Sequence, residues 1–288
     1  MSRMKHTLVT VLIAIFINNI AIGLDWTDDA AAIVISGGED HTLVLTKNKS
    51  VWASGPNGDP IYHSYYGVLG TGSSDTTLVQ RSLVRVWDGD MNTPSEYLEH
   101  INDVDAGWKH SLALESYDPS YPNYTGYVWA WGNNYWGQLG VGEGTGARST
   151  PIQVLRGAQA PADPINPDPN LSRIVDISAG RSGEHSLAVD ANGYAYAWGC
   201  NHEGQCGNGI SGENQKELVP VYVRRGQQPF DPNRPSVYLN RIIAASAGEW
   251  HSMALEQYDP CDPNMDGRVY TWGNNGRRAA RAPRKRIA

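Results

Sequence analysis

One short pattern is written four times along this chain, and that repetition limits the fold more than any other feature. The first copy runs Ser36-Gly37-Gly38-Glu39-Asp40-His41-Thr42-Leu43-Val44-Leu45, then Val51-Trp52-Ala53-Ser54-Gly55. The second reads Ala106-Gly107-Trp108-Lys109-His110-Ser111-Leu112-Ala113-Leu114, continues as Val128-Trp129-Ala130-Trp131-Gly132-Asn133-Asn134, and ends in Gly137-Gln138-Leu139-Gly140. The third holds Ala179-Gly180, His185-Ser186-Leu187-Ala188-Val189, Ala195-Tyr196-Ala197-Trp198-Gly199 and Gly204-Gln205-Cys206-Gly207. The fourth holds Ala247-Gly248-Glu249-Trp250-His251-Ser252-Met253-Ala254-Leu255 and Val269-Tyr270-Thr271-Trp272-Gly273-Asn274-Asn275. The copies occupy residues 36–72, 104–144, 177–209 and 245–276.

Each copy carries two short runs of strand-forming residues. In His110–Leu114 large and small side chains alternate with period two, which predicts a strand with one face on a core. Ala-Gly before it and Trp-Gly after it are turn signals, so the two runs should pair as an antiparallel hairpin. From the motif histidine to the glycine after the tryptophan position the steps are 14, 22, 14 and 22 residues. The longer copies carry related inserts, 115–126 and 256–267, which points to a duplicated two-repeat unit. Long Pro-rich connections follow the second and third copies, at 156–172 and 224–240. A sheet this small cannot bury both faces alone, so the copies must stack on one another. The chain is expected to be all-β; its 10 Trp and 15 Tyr against 2 Phe, with 31 Gly, suit short strands and many turns.

Ala-Gly-x-x-His-Ser-Leu-Ala-Leu, Val-Tyr-x-Trp-Gly-x-Asn and Gly-Gln-Leu-Gly together resemble the repeat of the regulator of chromosome condensation family. The resemblance covers about residues 31–276. It implies a β-propeller of four-stranded blades, and since family members typically have seven, four copies make an incomplete ring. Three places depart from the pattern. Ser54 stands for the tryptophan, Gly67-Val68-Leu69-Gly70 is delayed by an insert, and Cys206 stands for the leucine.

The two ends differ from this body. Residues 1–23 have the form of a signal peptide: Arg3 and Lys5, an apolar run from Leu8 to Ile17, and Ala21-Ile22-Gly23 before a cleavage point at Leu24. The mature chain from Leu24, with its repeats over 24–276, is then expected to be secreted, periplasmic or on a cell surface, with no membrane span. Residues 277–288 are basic and unlike anything upstream. Gly-Arg-Arg-Ala-Ala-Arg can be encoded so that a one-base shift spells Asp-Asp-Gly-Gln-Leu-Gly, and the tail is expected to be a frameshift product. Four repeats with the last unfinished leave exposed edges and an uncovered blade face, so self-association is expected. The net charge of −7 conceals +2 in the first 23 residues and +6 in the last twelve, which leaves −15 for the body. A surface that acidic repels phosphate backbones, which excludes a general nucleic-acid binder.

Catalytic signatures are missing from the sequence: it contains no nucleophile elbow, P-loop, dinucleotide fingerprint or His-Glu-x-x-His. His41, His110, His185 and His251 recur at one place in every copy, whereas a reaction needs its group once. They are expected to be scaffold, hydrogen-bonded to a neighbouring turn backbone. Trp131, Trp198 and Trp272 are expected to pack for the same reason. No cofactor is implied. Asp262, Asn264 and Asp266 match the opening of a calcium loop, but the twelfth position is Gly273 in place of the bidentate glutamate, so the metal signal is weak. Cys200 and Cys206 bracket a tight turn and could form a disulfide in an exported chain or stay as free thiols.

The function expected is therefore an exported, non-enzymatic module that binds a protein, of unspecified identity, through its loop face. That face comprises the two inserts and the two connections, with Tyr117, Tyr121, Tyr124, Tyr258, Trp108 and Trp250 as aromatic contacts. Two alternatives stand beside it. The family resemblance implies guanine-nucleotide exchange on a small GTPase, and propellers also bind or process carbohydrate.

Overall fold

The computed structural model describes residues 31–59, 64–65, 67–89, 96–120, 125–159, 168–226, 236–261 and 267–274. The segments 1–23 and 277–288 and the residues Tyr121, Tyr124, Asp262, Asn264 and Asp266 lie outside them. Every regular element among the described residues is a strand, and no helix there is long and apolar enough to cross a membrane.

Blade 1 comprises β1 (Ala32–Gly37), β2 (Thr42–Thr46), β3 (Val51–Pro56) and β6 (Val79–Arg85), paired in that order. Its insert forms a separate two-stranded hairpin of β4 (Gly58–Asp59) and β5 (Ser64–Tyr65). Blade 2 is β7 (Ile101–Ala106), β8 (His110–Glu115), β9 (Val128–Asn133) and β10 (Ala147–Gln153). Blade 3 is β11 (Ile174–Ala179), β12 (His185–Asp190), β13 (Ala195–Cys200) and β14 (Lys216–Tyr222). Blade 4 shows β15 (Ile242–Ala247), β16 (His251–Glu256) and β17 (Val269–Gly273). All pairings are antiparallel, as the hairpins read from sequence require. Each first pair carries the same register shift, between Ala32 and Val34, Ile101 and Asp103, Ile174 and Asp176, and Ile242 and Ala244.

The period-two pattern has a different meaning from the one expected. Strands β8 and β12 are buried along their whole length, so neither has a solvent face. Leu112 and Leu114 pack with Ile177, Ala188 and Trp198 of blade 3, while Ala113 packs with Leu43, Leu45 and Val86 of blade 1. In β8 the large residues face the next blade and the small one the previous blade, whereas in β9 Trp129 and Trp131 turn to blade 1 and Ala130 to blade 3. Each joint thus seats the leucines of one blade against the small residues and tryptophan of the next, and each leucine removed from water contributes about 1.5–3 kcal/mol. The same layering recurs between blades 3 and 4, where Leu187, Val189 and Cys206 meet Ala254 and Ile242.

The outer strands of blades 2 and 3, β10 and β14, follow the Gly-Gln-Leu-Gly and Gly-Gln-Cys-Gly turns. They carry Pro151 and Pro220, which suits edge strands that need not donate on their outer side. Each proline carbonyl lies against a glycine of the preceding blade. Gly89 has φ 65°, and a Cβ built there would fall 1.9 Å from the Pro151 oxygen; at Gly157 it would fall 2.2 Å from the Pro220 oxygen. Gly89→Ala is expected to lower stability by about 2–4 kcal/mol, combining left-handed strain with a backbone clash. Urea unfolding checks this; a midpoint equal to wild type would show that the rim does not hold the blades.

Candidate functional site

The repeated polar residues come first, because they decide what is left for function. Three buried histidines reach across three joints. His41 Nε2 lies 2.9 Å from Ser111 Oγ, His110 Nε2 3.0 Å from Ser186 Oγ, and His185 Nε2 2.9 Å from Ser252 Oγ. Each serine donates its one hydroxyl hydrogen to a turn carbonyl of the preceding blade: Ser111 to Val68 at 3.1 Å, Ser186 to Gln138 at 2.9 Å and Ser252 to Gln205 at 2.8 Å. The imidazole Nε2 must therefore be the donor to the serine, which sets the tautomer. The same carbonyls accept the indole N–H of Trp131, Trp198 and Trp272, each at 2.8 Å. The expectation of scaffold histidines needs one amendment: the partner is the next blade's hydroxyl, not a turn backbone.

Local sequence explains the geometry. Gly107 lies against the imidazole of His110, and a Cβ there would fall 2.4 Å from Cε1, so the Ala-Gly turn leaves room for the ring. The unprotonated Nδ1 atoms of His110 and His185 are buried without a partner. Burial holds all three rings neutral, with pKa values lowered to about 4 for His41 and about 3 for His110 and His185; neighbouring imidazoles add to the lowering at His110 and His185.

A further repeated residue escaped the motif analysis as a structural group. Asn134 and Asn201 are buried and accept the N–H of Leu139 and Cys206 at 3.1 and 3.0 Å, and so close the Gly-Gln-Leu-Gly turns. Asn57 does the same for Leu69 at 3.3 Å. This is why the delayed Gly-Val-Leu-Gly of blade 1 still presents its Val68 carbonyl. The recurrent Asn after Trp-Gly-Asn was the available signal.

The two cysteines follow the same template. Cys200 stands where blade 2 has Asn133, and Cys206 where it has Leu139. Both are free, buried thiols, so the disulfide left open by the sequence is not formed. They do different work: Cys206 packs in the joint with blade 4, its Sγ 3.5 Å from the Cys200 carbonyl, and Cys200 sits at the mouth of the turn. Burial pushes both thiols up, Cys206 the further. Among the described residues no group of three or more His, Cys, Asp or Glu could hold a metal ion.

What remains lies at the two ends of the blades, and strand direction divides the aromatic candidates between them. The inserts after β8 and β16 and the connections after β10 and β14 emerge at one end, the loop end. Trp108 and Trp250 sit in the turns before β8 and β16, together with the Gly-Gln-Leu-Gly turns, at the opposite, turn end. At the loop end Tyr117 is half-buried and pairs with Thr125, whereas Tyr258 is 65% exposed. At the turn end Tyr135 is 60% exposed and meets Trp136 edge-on at 5.0 Å, and Trp136 in turn meets His202 at 4.4 Å. Lys109 lies over the Trp108 ring at 4.0 Å, and Lys216 flanks Tyr135 at 5.6 Å. Glu184 lies among them; burial pushes its carboxyl up to about 7, while Lys109 and a hydrogen bond from Trp136 oppose the shift. Tyr135, Trp136 and His202 were missed because their turns read as scaffold.

Successive four-stranded antiparallel sheets, joined face to face with their first strands side by side, define a β-propeller arc. Among the described residues, Ile35 of blade 1 and Met253, Leu255 and Val269 of blade 4 are exposed. A model of the regulator of chromosome condensation (RCC1) repeat matches residues 125–189 and 192–255. Residues 125–255 thus carry RCC1 repeats. The chain is 31% identical over 180 residues to a bifunctional serine/threonine-protein kinase/NEDD4-like E3 ubiquitin-protein ligase of Dictyostelium discoideum, covering 61% of this chain and 8% of that protein. It is 31% identical over 155 residues to the mouse regulator of chromosome condensation, covering 52% and 28%. Among solved structures, Prp20p of Saccharomyces cerevisiae superposes with a TM-score of 0.56 at 21% identity, covering 85% of this chain and 44% of that one. The chain spans less than half the length of each of these relatives.

Proposed function

We propose that this chain is an exported, non-catalytic RCC1-repeat propeller that binds another protein through the turn end of its blades. One observation carries the proposal. Trp108, Tyr135, Trp136 and Trp250 all lie at that end, Tyr135 and Trp250 exposed and Trp108 and Trp136 half-buried, and none of them belongs to the His–Ser–Trp stitches that hold the blades together. Exposed Tyr and Trp flanked by lysine are the side chains that dominate protein interfaces, because each buries a large area at little entropy cost. The repeated polar groups are spent on one another, which leaves no nucleophile–base pair among them. Solved relatives supply a parallel: Prp20p is described with binding properties to Gsp1p and histones, and yeast RCC1 is seen with Kap60. The export element of the proposal rests on residues 1–23.

The test compares the two ends. Capture of partners from the extracellular or periplasmic fraction should fall at least about tenfold on Tyr135→Ala with Trp250→Ala, the loss expected for hot-spot aromatics. The melting temperature should not move. Loss on Tyr258→Ala alone would return the site to the loop end. Binding to a glycan array, or acceleration of nucleotide release from a small GTPase, would replace the proposal.

A further inference from the structure

The aromatic pair Tyr135 and Trp136 belongs to blade 2, but the groups that hold it belong to blade 3. Lys216, the first residue of β14, donates from Nζ to the Tyr135 carbonyl and to the Gly144 carbonyl, each at 3.2 Å, and lies 5.6 Å from the Tyr135 ring centre. His202 meets the Trp136 ring edge-on at 4.4 Å. Glu184, the residue before β12, accepts the indole N–H of Trp136.

The backbone around Glu184 is fixed on both sides. Its own carbonyl accepts the Cys200 N–H at 2.8 Å, and the Gly180 carbonyl of the same turn accepts the Trp108 N–H of blade 2 at 2.9 Å. A Cβ built on Gly183 would fall 2.5 Å from the Gly248 and Glu249 carbonyl oxygens of blade 4. The turn is thus wedged between its neighbours, with its carboxylate turned to blade 2. The position before the motif histidine holds Lys109 in blade 2 and Glu184 in blade 3, so successive blades set a cation beside an acid. Lys109 in turn rests on the Trp108 ring at 4.0 Å. One carboxylate therefore acts on Trp136 directly and on Trp108 through Lys109.

Building on the turn-end site proposed above, we infer that Glu184 and Lys216 are its positioning residues, and that protonation of Glu184 frees Trp136 and releases the bound partner. The ionised carboxylate makes a charge-assisted bond to the indole, about twice as strong as a neutral one. A proton removes that charge and the attraction of Lys109. Lys216 still holds the Tyr135 carbonyl, so the turn stays seated while the Trp136 side chain loosens. Burial puts this change within reach of neutral pH: it pushes the Glu184 carboxyl up to about 7, against the opposing pull of Lys109 and of the indole. The ionised form dominates above that pH and is lost below it. The other titratable and charged groups around Glu184 are the Cys200 thiol, kept neutral by burial and acted on by Glu203 as well, the neutral His185 beside it, the exposed Arg181 of its own turn, and His202 behind Trp136.

Nuclear magnetic resonance of the full chain, labelled at its indole nitrogens, tests the role of Glu184 without a partner. The Trp136 indole signal, assigned with Trp136→Phe, should shift between about pH 8 and about pH 6 with a midpoint of about 7. Glu184→Gln keeps an acceptor for the indole but removes the charge, and should abolish the titration. His202→Gln should leave it intact. A flat signal in wild type would overturn the inference, as would a titration that survives Glu184→Gln or vanishes with His202→Gln. Capture of partners from the extracellular or periplasmic fraction is the second readout. It should be about tenfold weaker at about pH 6 than at about pH 8, because the competent fraction falls from about 0.9 to about 0.1. Glu184→Gln should capture equally at both. Capture that needs Tyr135 and Trp250 but ignores pH would sink the control by Glu184 and leave the turn-end site standing. A normal Trp136 titration with capture indifferent to both aromatics would instead sink the turn-end site, and the pH control of binding with it.

Discussion

Trp198→Ala is expected to remove about 4 kcal/mol of stability, the largest loss of any single change described for this protein. The indole is fully buried in the joint between blades 2 and 3 and donates to the Gln138 carbonyl. Truncation leaves a cavity among Leu112, Leu139, Val154 and Ile177, which belong to four different segments and cannot collapse together. Against a total of about 5–15 kcal/mol, such a loss opens the middle joint. Stability in stacked repeats is a sum of units and nearest-neighbour contacts, so urea unfolding should split into two transitions. Trp272→Ala, at the last joint and only partly buried, should cost less and leave one transition. A single unshifted transition for Trp198→Ala would show that the joint does not depend on the indole.

The second large effect is acid sensitivity at the histidine stitches. His41, His110 and His185 are neutral in the fold down to pH about 4, 3 and 3, while in the unfolded chain they take up protons near 6.5. A folded pKa below the unfolded one means that the unfolded state binds more protons through this window. The stabilisation is present above pH about 6.5 and is lost as pH falls, at about 1.4 kcal/mol per pH unit for each histidine. Carboxylates oppose this. Burial raises Asp176 to about 6 and Glu184 to about 7, and pushes Asp103 and Glu115 upward as well. These groups take up protons in the fold first and offset part of the loss. A difference measurement separates the two sets. His110→Gln removes one imidazole and leaves every carboxylate in place. Its deficit against wild type at neutral pH should shrink by about 1.4 kcal/mol per unit from pH 6.5 down to 4. Parallel profiles for the two proteins would mean that the imidazole titrates alike in both states.

Much of the candidate site was hidden from the sequence for a reason visible in particular residues. Trp108 and Tyr117 stand nine positions apart and read as members of one loop surface. They flank β8, a strand of six residues, and so lie at opposite ends of the blade. Tyr135, Trp136 and His202 sit within turns whose glycines and asparagines are architectural, and pattern matching assigns the whole turn to scaffold. Their side chains come together only because the turns of blades 2 and 3 lie side by side. The sequence left Cys206 open between a staple and a free thiol, and the joint uses it as a small leucine.

Repetition in the sequence was enough by itself to establish strands, hairpins, stacking and the structural character of the histidines, because period and turn chemistry are local properties. It could not say which residue each histidine would meet. His41 and Ser111 are seventy positions apart, and the bond forms only when one blade is seated on the next. The tertiary structure alone decided that the alternating large and small residues face two different neighbours. It also decided that Trp136 of blade 2 meets His202 of blade 3. Both are properties of how sheets pack, and no single repeat contains that information.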